Sequence, residues 1–388
     1  MTRRVLIVVQ RYGAEVVGGS EAHARLAARR LSLANDVEVA TTTALDHWTW
    51  ESHYAPGVGE LDGIPVRRFP VIAGRRPDFK DLERRVLFDE HTVAEELAWP
   101  RWQGPHVPDL YEFLHQEGTR YQAVLFWTYI YAPTALGLPL VPERAALVPT
   151  THDEAPLGLA PYRALFHLPR AFGFLTPEER ALVHRRFHTE HVPDEVLGIA
   201  MTPPPLHDPV AFRRAHGVEG PLVAYVGQVS EAKACDELVR AWVTWRDARG
   251  TGTLAFAGER RMELPDRPDV LALGRVSDEE KWALLAAADA LVLPSHLESL
   301  GIVLLEAWQV GTPVVVPAWN AVTAGQTARS GGGVAYRTPD ALGDALDAVL
   351  PKARALGEAG RVWVERETTL EAFDTRLQRL VDLAAFDA

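Results

Sequence analysis

Two glutamates eight residues apart, Glu298 and Glu306, form the pattern with the clearest chemical meaning in this sequence. Glu298 follows a predicted strand, and Glu306 lies about two turns into the predicted helix after it. Eight residues of helix rise span roughly 12 Å, which resembles the distance from a sugar ring across a diphosphate to a ribose. The backbone amides of Ser299, Leu300 and Gly301 lie at the N-terminus of this helix, predicted over 300–309, and suit an anion. The spacing predicts one carboxylate on sugar hydroxyls, the other on ribose hydroxyls, and phosphates between them.

The environment of Glu306 strengthens this interpretation, although two glutamates eight apart also occur by chance. Glu306 lies within an apolar run, where an ionised side chain needs a partner.

A second pattern is a strand that ends in Gly227 and is followed six residues later by Lys233. A lysine at a helix start is a point charge suited to a phosphate leaving group, and a solvated surface lysine is the alternative.

Candidate residues also occur in the first half of the chain. His152 follows a predicted strand over 145–149, and by sequence alone it is as compatible with a hydrogen-bonded loop histidine as with a functional residue. Asp153, next to it, is a candidate acceptor contact. Trp48 and Trp50 lie in the loop after the second strand and are candidates to stack on an acceptor, against the alternative of core packing.

All of these residues follow strands in two βα series. The first series has predicted strands at 5–10, 37–42, 66–69, 123–127, 145–149, 172–175 and 196–199, and the second has them at 222–226, 254–257, 270–273, 290–293 and 313–316. Three prolines, 203–205, separate the series as a semi-rigid hinge. The pattern predicts an α/β protein with two Rossmann-like, doubly wound parallel-sheet domains facing across a cleft. The domains are 1–200, joined by a C-terminal helix at 370–388 that crosses back to it, and 201–369.

The combination of Gly227…Lys233, Glu298-x7-Glu306 and the Gly18-Gly19 loop resembles the retaining GT-B glycosyltransferases of family 4, over essentially the whole chain. The resemblance implies metal-independent transfer of a sugar from a nucleotide diphosphate, UDP- or GDP-linked, to a hydroxyl of a glycan or glycolipid. It implies a catalytic group and a donor-binding group of residues. The catalytic group is His152, Glu298 and Lys233; the donor-binding group is Gly18, Gly19, Gly227, Gln228, Lys233, Arg275, Val276, Ser299, Leu300, Gly301 and Glu306.

The sequence departs from the family pattern in one loop. Gln228 stands where an arginine is usual after the strand glycine, and Ala234 replaces a glycine after the lysine. A glutamine does not neutralise charge, so the diphosphate would depend on Lys233 and the helix dipole, with Arg260 or Arg261 as a substitute. Two alternatives therefore stay open: a non-catalytic sugar-nucleotide-binding subunit, and a nucleotide-sugar epimerase of the same fold.

Composition and charge exclude several other classes of protein. The 388 residues are 47% hydrophobic and 24% charged, as in globular domains, and the net charge of −12 disfavours nucleic acid. The lone Cys235 excludes an internal disulfide. The opening residues lack a signal-peptide pattern, and prolines interrupt the uncharged run 123–142, so we expect a cytoplasmic protein without membrane spans.

Two smaller questions concern metal binding and contact with a membrane. Of the histidines at 184, 188 and 191, His184 and His188 share a predicted helix face, but no third zinc ligand is evident, so no metal or cofactor is expected. Arg75, Arg76, Arg84 and Arg85 form a basic stretch interspersed with acids, which favours a solvated helix face. Contact of that stretch with the inner face of a membrane is the alternative.

Overall fold

The computed structural model describes residues 2–386, which divide into two compact units. One unit comprises 2–199 together with 373–386, and the other comprises 200–372. The sequence places these boundaries after 200 and after 369. The last two residues of the predicted crossing segment, 387 and 388, lie outside the described residues.

The first unit is built on an eight-stranded sheet whose strand order is β3-β4-β2-β1-β5-β6-β7-β8. The strands are β1 Arg4–Val8, β2 Asp36–Thr42, β3 Gly57–Leu61, β4 Ile64–Phe69, β5 Ala123–Trp127, β6 Ala145–Val148, β7 Ala171–Phe174 and β8 Asp194–Val196. All neighbours pair in parallel except β3 and β4. The central strands are buried on both faces, which explains their continuous apolar sequence.

Strand β3 was not predicted, although the sequence carries a signal for it. It pairs antiparallel with β4 in register Leu61↔Ile64, so the connecting turn is Asp62-Gly63. Both turn residues have positive φ, 56° and 77°, as a two-residue hairpin of the Asp-Gly type requires. Most of β3 is exposed, so it has no apolar pattern, and the turn was its only signal.

The second unit has a six-stranded, fully parallel sheet in the order β11-β10-β9-β12-β13-β14. The strands are β9 Leu222–Val226, β10 Thr253–Ala257, β11 Val270–Gly274, β12 Ala290–Val292, β13 Val314–Pro317 and β14 Gly333–Tyr336. Only β14 was not predicted. The strand ends of β9 and β12 are neighbours in this sheet, which brings the loops after them together.

Helices cover the faces of both sheets. The first unit has α1 Gly19–Leu31, α2 Phe79–Phe88, α3 Val93–Gln103, α4 Pro108–Glu117, α5 Ala132–Gly137, α6 Ala160–Leu165 and α7 Pro177–Phe187. The second has α8 Pro209–Ala215, α9 Cys235–Arg249, α10 Asp278–Ala287, α11 Ile302–Gln309, α12 Ala321–Ser330, α13 Leu342–Val349 and α14 Ala353–Glu367. The last helix, α15 Leu370–Ala384, belongs to the first unit from Phe373 onward.

The sequence predicts Ser20 as the cap of a helix over 20–30 and Thr176 as the cap of a helix over 177–187, and the two predictions had different outcomes. The Thr176 hydroxyl accepts from the Glu179 backbone N–H and caps α7, as predicted. Ser20, predicted to cap α1, lies within the helix instead, and Gly18 occupies the cap position. The Ser20 hydroxyl donates to the Glu21 carboxylate at 2.8 Å, so it is engaged by a side chain and not by the helix backbone.

No helix in the described part of the chain is long and apolar enough to cross a bilayer. The uncharged run 123–142 folds instead into β5, α5 and short turns. The proline-containing segment 200–208 has no regular secondary structure.

Candidate active site

The loop between β12 and α11 carries Glu298 and is held by two buried amide side chains of the neighbouring helix α12. Asn320, the cap of α12, donates from Nδ2 to the Ser295 carbonyl at 3.0 Å. Gln326 donates from Nε2 to the Leu300 carbonyl at 2.6 Å. These bonds anchor the backbone on both sides of Glu298. Neither amide belongs to a sequence motif, so neither was predicted.

Gly301 ends this loop and caps α11 in the left-handed region, with φ 68°. A Cβ at this position would lie 3.3 Å from Thr323 Cγ2, so both the conformation and the space favour glycine. The predicted helix therefore begins two residues later than expected, at Ile302. Ser299 and Leu300 lie in the turn before it.

Each of the two glutamates forms an ion pair with a lysine. Glu298 Oε1 accepts from Lys233 Nζ at 2.8 Å, and Glu306 Oε1 accepts from Lys281 Nζ at 2.8 Å. All four side chains are partly buried, with exposed fractions between 15% and 38%. Lys281, on α10, was not predicted to belong to the site. The sequence did offer one signal for it, because lysine is rare in this chain and occurs only four times.

The loop after β9 is closely packed against the loop after β10. Gly227 has φ 149°, and Gly258 has φ 144° with a Cβ position only 1.8 Å from the Gly227 carbonyl oxygen. Only glycine permits this approach of two backbones. The Tyr225 hydroxyl donates to the Gln228 carbonyl at 2.8 Å and fixes the loop. Ala234 adopts the left-handed conformation with φ 55°, which glycine would adopt at lower cost.

The arginines near this loop differ in whether a carboxylate already pairs with them. Arg261 pairs with Glu259 at 2.7 Å, and Arg275 pairs with the same carboxylate at 2.6 Å. Arg260 is exposed and forms a backbone bridge with Val229, next to Gln228. Of the two predicted substitutes for the missing arginine, Arg261 is therefore engaged by Glu259.

Arg275 and Val276 lie between Gly274 and the cap of α10. Gly274 has φ 70°, and the Ser277 hydroxyl accepts from the Glu280 backbone N–H at 3.1 Å. The turn at Arg275 and Val276 is thus bounded by a left-handed glycine and a capped helix.

In the first unit, a buried ion pair shapes the Gly18-Gly19 loop. Glu21 Oε1 accepts from Arg11 Nη2 at 2.6 Å and from Gln10 Nε2 at 2.8 Å, and Arg11 and Glu21 are each about 5% exposed. A Cβ on Gly18 would lie 2.2 Å from Glu21 Oε2. The carboxylate that anchors the loop therefore also excludes a side chain at Gly18.

His152 lies in the loop after β6, with a side chain 31% exposed. Its Nε2 lies 3.9 Å from Glu154 Oε2, and its Nδ1 is buried without a hydrogen-bond partner. Tyr129 donates to Glu154 Oε1 at 2.8 Å, and burial raises the pKa of Glu154. Asp153 is exposed and lies 3.6 Å from Arg186.

A buried carboxyl group that was not predicted holds the His152 loop. Glu179, on α7, accepts from the backbone N–H of Thr151 and from that of Leu175, each at 2.6 Å. It thereby joins the ends of β6 and β7, directly before His152. Burial raises the pKa of Glu179 to about 8, while these backbone donors act in the opposite direction. The only sequence signal was its place in the first turn behind the Thr176 cap.

Of the two candidate stacking tryptophans, only Trp48 has an accessible ring. Trp48 is 46% exposed, whereas Trp50 is 1% exposed and donates from Nε1 to the Gln103 carbonyl at 2.9 Å. The Trp50 ring also packs edge-on against Tyr131. The acceptor-side role predicted for Trp50 is therefore wrong, because its polar and apolar parts are both used inside the protein.

The histidines at 184, 188 and 191 do not form a metal site. In residues 2–386, no cluster of three or more His, Cys, Asp or Glu side chains is arranged to hold a metal ion. His184 instead contacts Asp194 through Nε2 and Thr189 through Nδ1, each at 3.1 Å.

Part of the second unit matches a known protein family. Residues 220–352 match the family model described as "Glycosyl transferases group 1". The chain contains a group 1 glycosyltransferase domain. This domain includes both lysine–glutamate pairs and the loops after β9, β10, β11 and β12.

Curated relatives carry related names. A Corynebacterium glutamicum GDP-mannose-dependent mannosyltransferase acting on a monoacylated phosphatidylinositol monomannoside is 29% identical, covering 50% of this chain and 55% of the relative. A Frankia alni D-inositol 3-phosphate glycosyltransferase is 35% identical, covering 40% of this chain and 44% of that protein. The chain spans about half the length of these relatives.

The likeness to solved structures extends over both units. Sucrose-phosphate synthase from Thermosynechococcus elongatus matches with a TM-score of 0.69 and 19% identity, covering 98% of each chain. The fold is GT-B, with two Rossmann-like α/β units, as predicted.

Proposed function

We propose that this protein is a retaining, metal-independent glycosyltransferase that uses a UDP- or GDP-linked sugar and glycosylates a hydroxyl of a glycan or glycolipid. The observation that carries the proposal is the set of two lysine–glutamate pairs, Lys233–Glu298 and Lys281–Glu306, inside the group 1 domain. The name of the Corynebacterium relative, which specifies GDP-mannose, supports a nucleotide-sugar donor.

The Lys233–Glu298 pair leaves hydrogen-bonding capacity on both partners. The ammonium group has three N–H donors, and one of them is given to Glu298 Oε1, so the others can bind the diphosphate. Glu298 Oε2 is available for a hydroxyl of the donor sugar. The pair therefore couples sugar binding to charge neutralisation at the bond that breaks.

The remaining donor contacts follow from the same unit. Glu306, held by Lys281, binds the ribose hydroxyls, and the amides of the turn before α11 receive phosphate oxygens. The Gly227–Gln228 loop lies at the diphosphate, and the backbone at Arg275 and Val276 contacts the base.

The first unit binds the acceptor, with His152, Asp153 and Trp48 as candidate ligands and the Gly18-Gly19 amides as phosphate contacts.

The chemical step is a same-face displacement at the anomeric carbon. The bond from that carbon to the diphosphate oxygen breaks as the bond to the acceptor oxygen forms, through an oxocarbenium-like state. The acceptor proton passes to the departing phosphate oxygen, which yields a nucleoside diphosphate and a glycoside. Lys233 and the turn amides stabilise the charge that develops on the diphosphate.

Glu306→Gln is expected to weaken binding of the nucleoside diphosphate about ten- to a hundredfold, because a charged hydrogen bond contributes about 1.5–3 kcal/mol. Calorimetric titration of the purified variant with GDP and UDP measures the change. Glu279→Gln, at an exposed position of α10, is the matched control and should leave the affinity unchanged. Equal affinity of Glu306→Gln and wild type would remove Glu306 from the ribose site.

A thermal-shift comparison of GDP, UDP, ADP, CMP and dTDP, each with magnesium and with EDTA, tests the proposed function. A ligand at a hundredfold excess over its Kd stabilises the fold by about 2.7 kcal/mol. We expect a shift with GDP or UDP that persists in EDTA. No shift with any nucleotide would contradict the proposal, and a shift lost in EDTA would contradict metal independence.

A further inference from the structure

The first unit contains a cavity of about 940 Å³ beside the His152 loop. Its wall includes Glu154 of that loop together with Trp48, Phe79 and Tyr131. This volume is within the range of cavities that hold small molecules. None of the candidate donor-binding residues lines it.

The charges around this cavity are opposite in sign to the charge of the whole protein. Four cationic side chains reach it, Arg75, Arg76, Lys80 and Arg84, against two carboxyl groups, Glu83 and Glu154. The chain as a whole has a net charge of −12. Burial raises the pKa of both lining carboxyl groups, which disfavours their negative forms. The local balance therefore favours an anion.

Within residues 2–386, Arg75 and Lys80 are the two of these cations that form no ion pair with a carboxylate, and of the two only Arg75 is partly buried. Arg76 pairs with Asp78 at 2.8 Å, and Arg84 lies 3.6 Å from Asp89. Within residues 2–386, by contrast, no carboxylate lies within 4.0 Å of the Arg75 guanidinium. Burial lowers the pKa of Arg75.

The guanidinium of Arg75 is nevertheless firmly positioned. It lies over the Trp48 ring at 5.1 Å and the Phe79 ring at 5.2 Å, measured to the ring centroids. Its Nη2 donates to the His47 carbonyl at 3.2 Å, while its Nε is buried without a partner. The basic stretch at 75–85 was expected to be a solvated helix face, and Arg75 departs from that expectation. A half-buried, oriented guanidinium without a contacting carboxylate is costly unless an oxyanion joins it.

We infer that this cavity binds an oxyanion of the acceptor, a phosphate or a carboxylate, with the Arg75 guanidinium as its principal ligand. The aromatic and aliphatic side chains of the wall, among them Phe79 and Leu87, contact the uncharged remainder of the molecule. That the molecule is the acceptor rests on the proposed function. The oxyanion site itself stands on the cavity and can be tested without a donor.

Glycerol phosphate and glycerol differ by one phosphate group. Calorimetric titration of the purified full chain with each of them therefore tests the oxyanion site. We expect glycerol phosphate to bind at least tenfold more tightly than glycerol, as one charged hydrogen bond provides. Arg75→Gln should abolish the difference, and Arg75→Lys should retain part of it because the positive charge remains. Lys233→Gln should leave it unchanged, which excludes phosphate bound in the second unit.

Sedimentation with phosphatidylcholine vesicles, with and without phosphatidylglycerol, distinguishes the source of the anion. Binding of glycerol phosphate without vesicle binding indicates a soluble acceptor, and Arg75-dependent binding to phosphatidylglycerol vesicles indicates a lipid headgroup. The inference is wrong if wild type binds neither glycerol phosphate nor phosphatidylglycerol vesicles. It is also wrong if folded Arg75→Gln binds them as tightly as wild type does. Failure of nucleotide binding with Arg75-dependent phosphate binding would overturn the proposed function alone.

Discussion

Lys233→Gln is expected to lower kcat/KM for sugar transfer about 10²–10³-fold, the largest effect on activity that we expect from one substitution. Glutamine retains hydrogen-bonding groups near Glu298 but removes the positive charge that stabilises the departing diphosphate. Gln228 supplies no charge, and Arg261 is paired with Glu259, so few nearby cations can substitute. Initial rates of nucleoside diphosphate release with the purified variant measure the effect.

Lys352→Gln is the matched control, since it removes an exposed lysine from the same unit. Its rate should equal that of wild type. The double variant Lys233→Gln with Glu298→Gln should lose less than the sum of the single effects, because the two side chains act as one pair. Transfer by Lys233→Gln at more than a tenth of the wild-type rate would contradict the role given to this lysine.

Glu179 is expected to make the stability of the protein depend strongly on pH. Its carboxyl group titrates at about 8 in the folded chain, compared with the ordinary value of 4.5. The folded state therefore retains a proton that the unfolded chain loses. The free energy of unfolding should fall as pH rises from about 4.5 to about 8, by on the order of 1 kcal/mol per pH unit from this group.

Glu179→Gln tests this expectation in denaturant titrations across that pH range. The amide cannot accept from both the Thr151 and Leu175 N–H groups, so at pH 4.5 the variant should be less stable by about 1–3 kcal/mol. The difference should narrow as pH rises and reverse in sign before pH 8, because wild type loses about 1 kcal/mol per pH unit from this group while the variant has no carboxyl to titrate. Glu190→Gln, at an exposed position, should follow wild type. A constant difference between Glu179→Gln and wild type at all pH values would contradict the raised pKa.

Much of the fold was predictable because parallel strands buried on both faces have continuous apolar sequences. The runs 123–127 and 222–226 coincide with β5 and β9. The two strands that were missed are edge strands, β3 and β14, which have few buried residues and hence weak apolar patterns. Helix starts were less accurate where another side chain engages the expected cap, as the Glu21 carboxylate engages the Ser20 hydroxyl.

The candidate site was predictable in its charged residues and not in what holds them. Glu298, Glu306 and Lys233 stand out by type and spacing, and the fold brings Lys233 to Glu298. Lys281 reaches Glu306 only because α10 and α11 pack together, which no local spacing indicates. Trp50 and Trp48 are indistinguishable by sequence, since their different burial depends on where Gln103 lies.

The most direct test of the central claim is to follow a nucleotide sugar by NMR in the presence of EDTA and a panel of sugars and polyols with and without phosphate. We expect a glycoside with the anomeric configuration of the donor, formed by wild type and lost in Lys233→Gln. An epimerised nucleotide sugar, an inverted product, or nucleotide binding without a glycoside from any acceptor would contradict it.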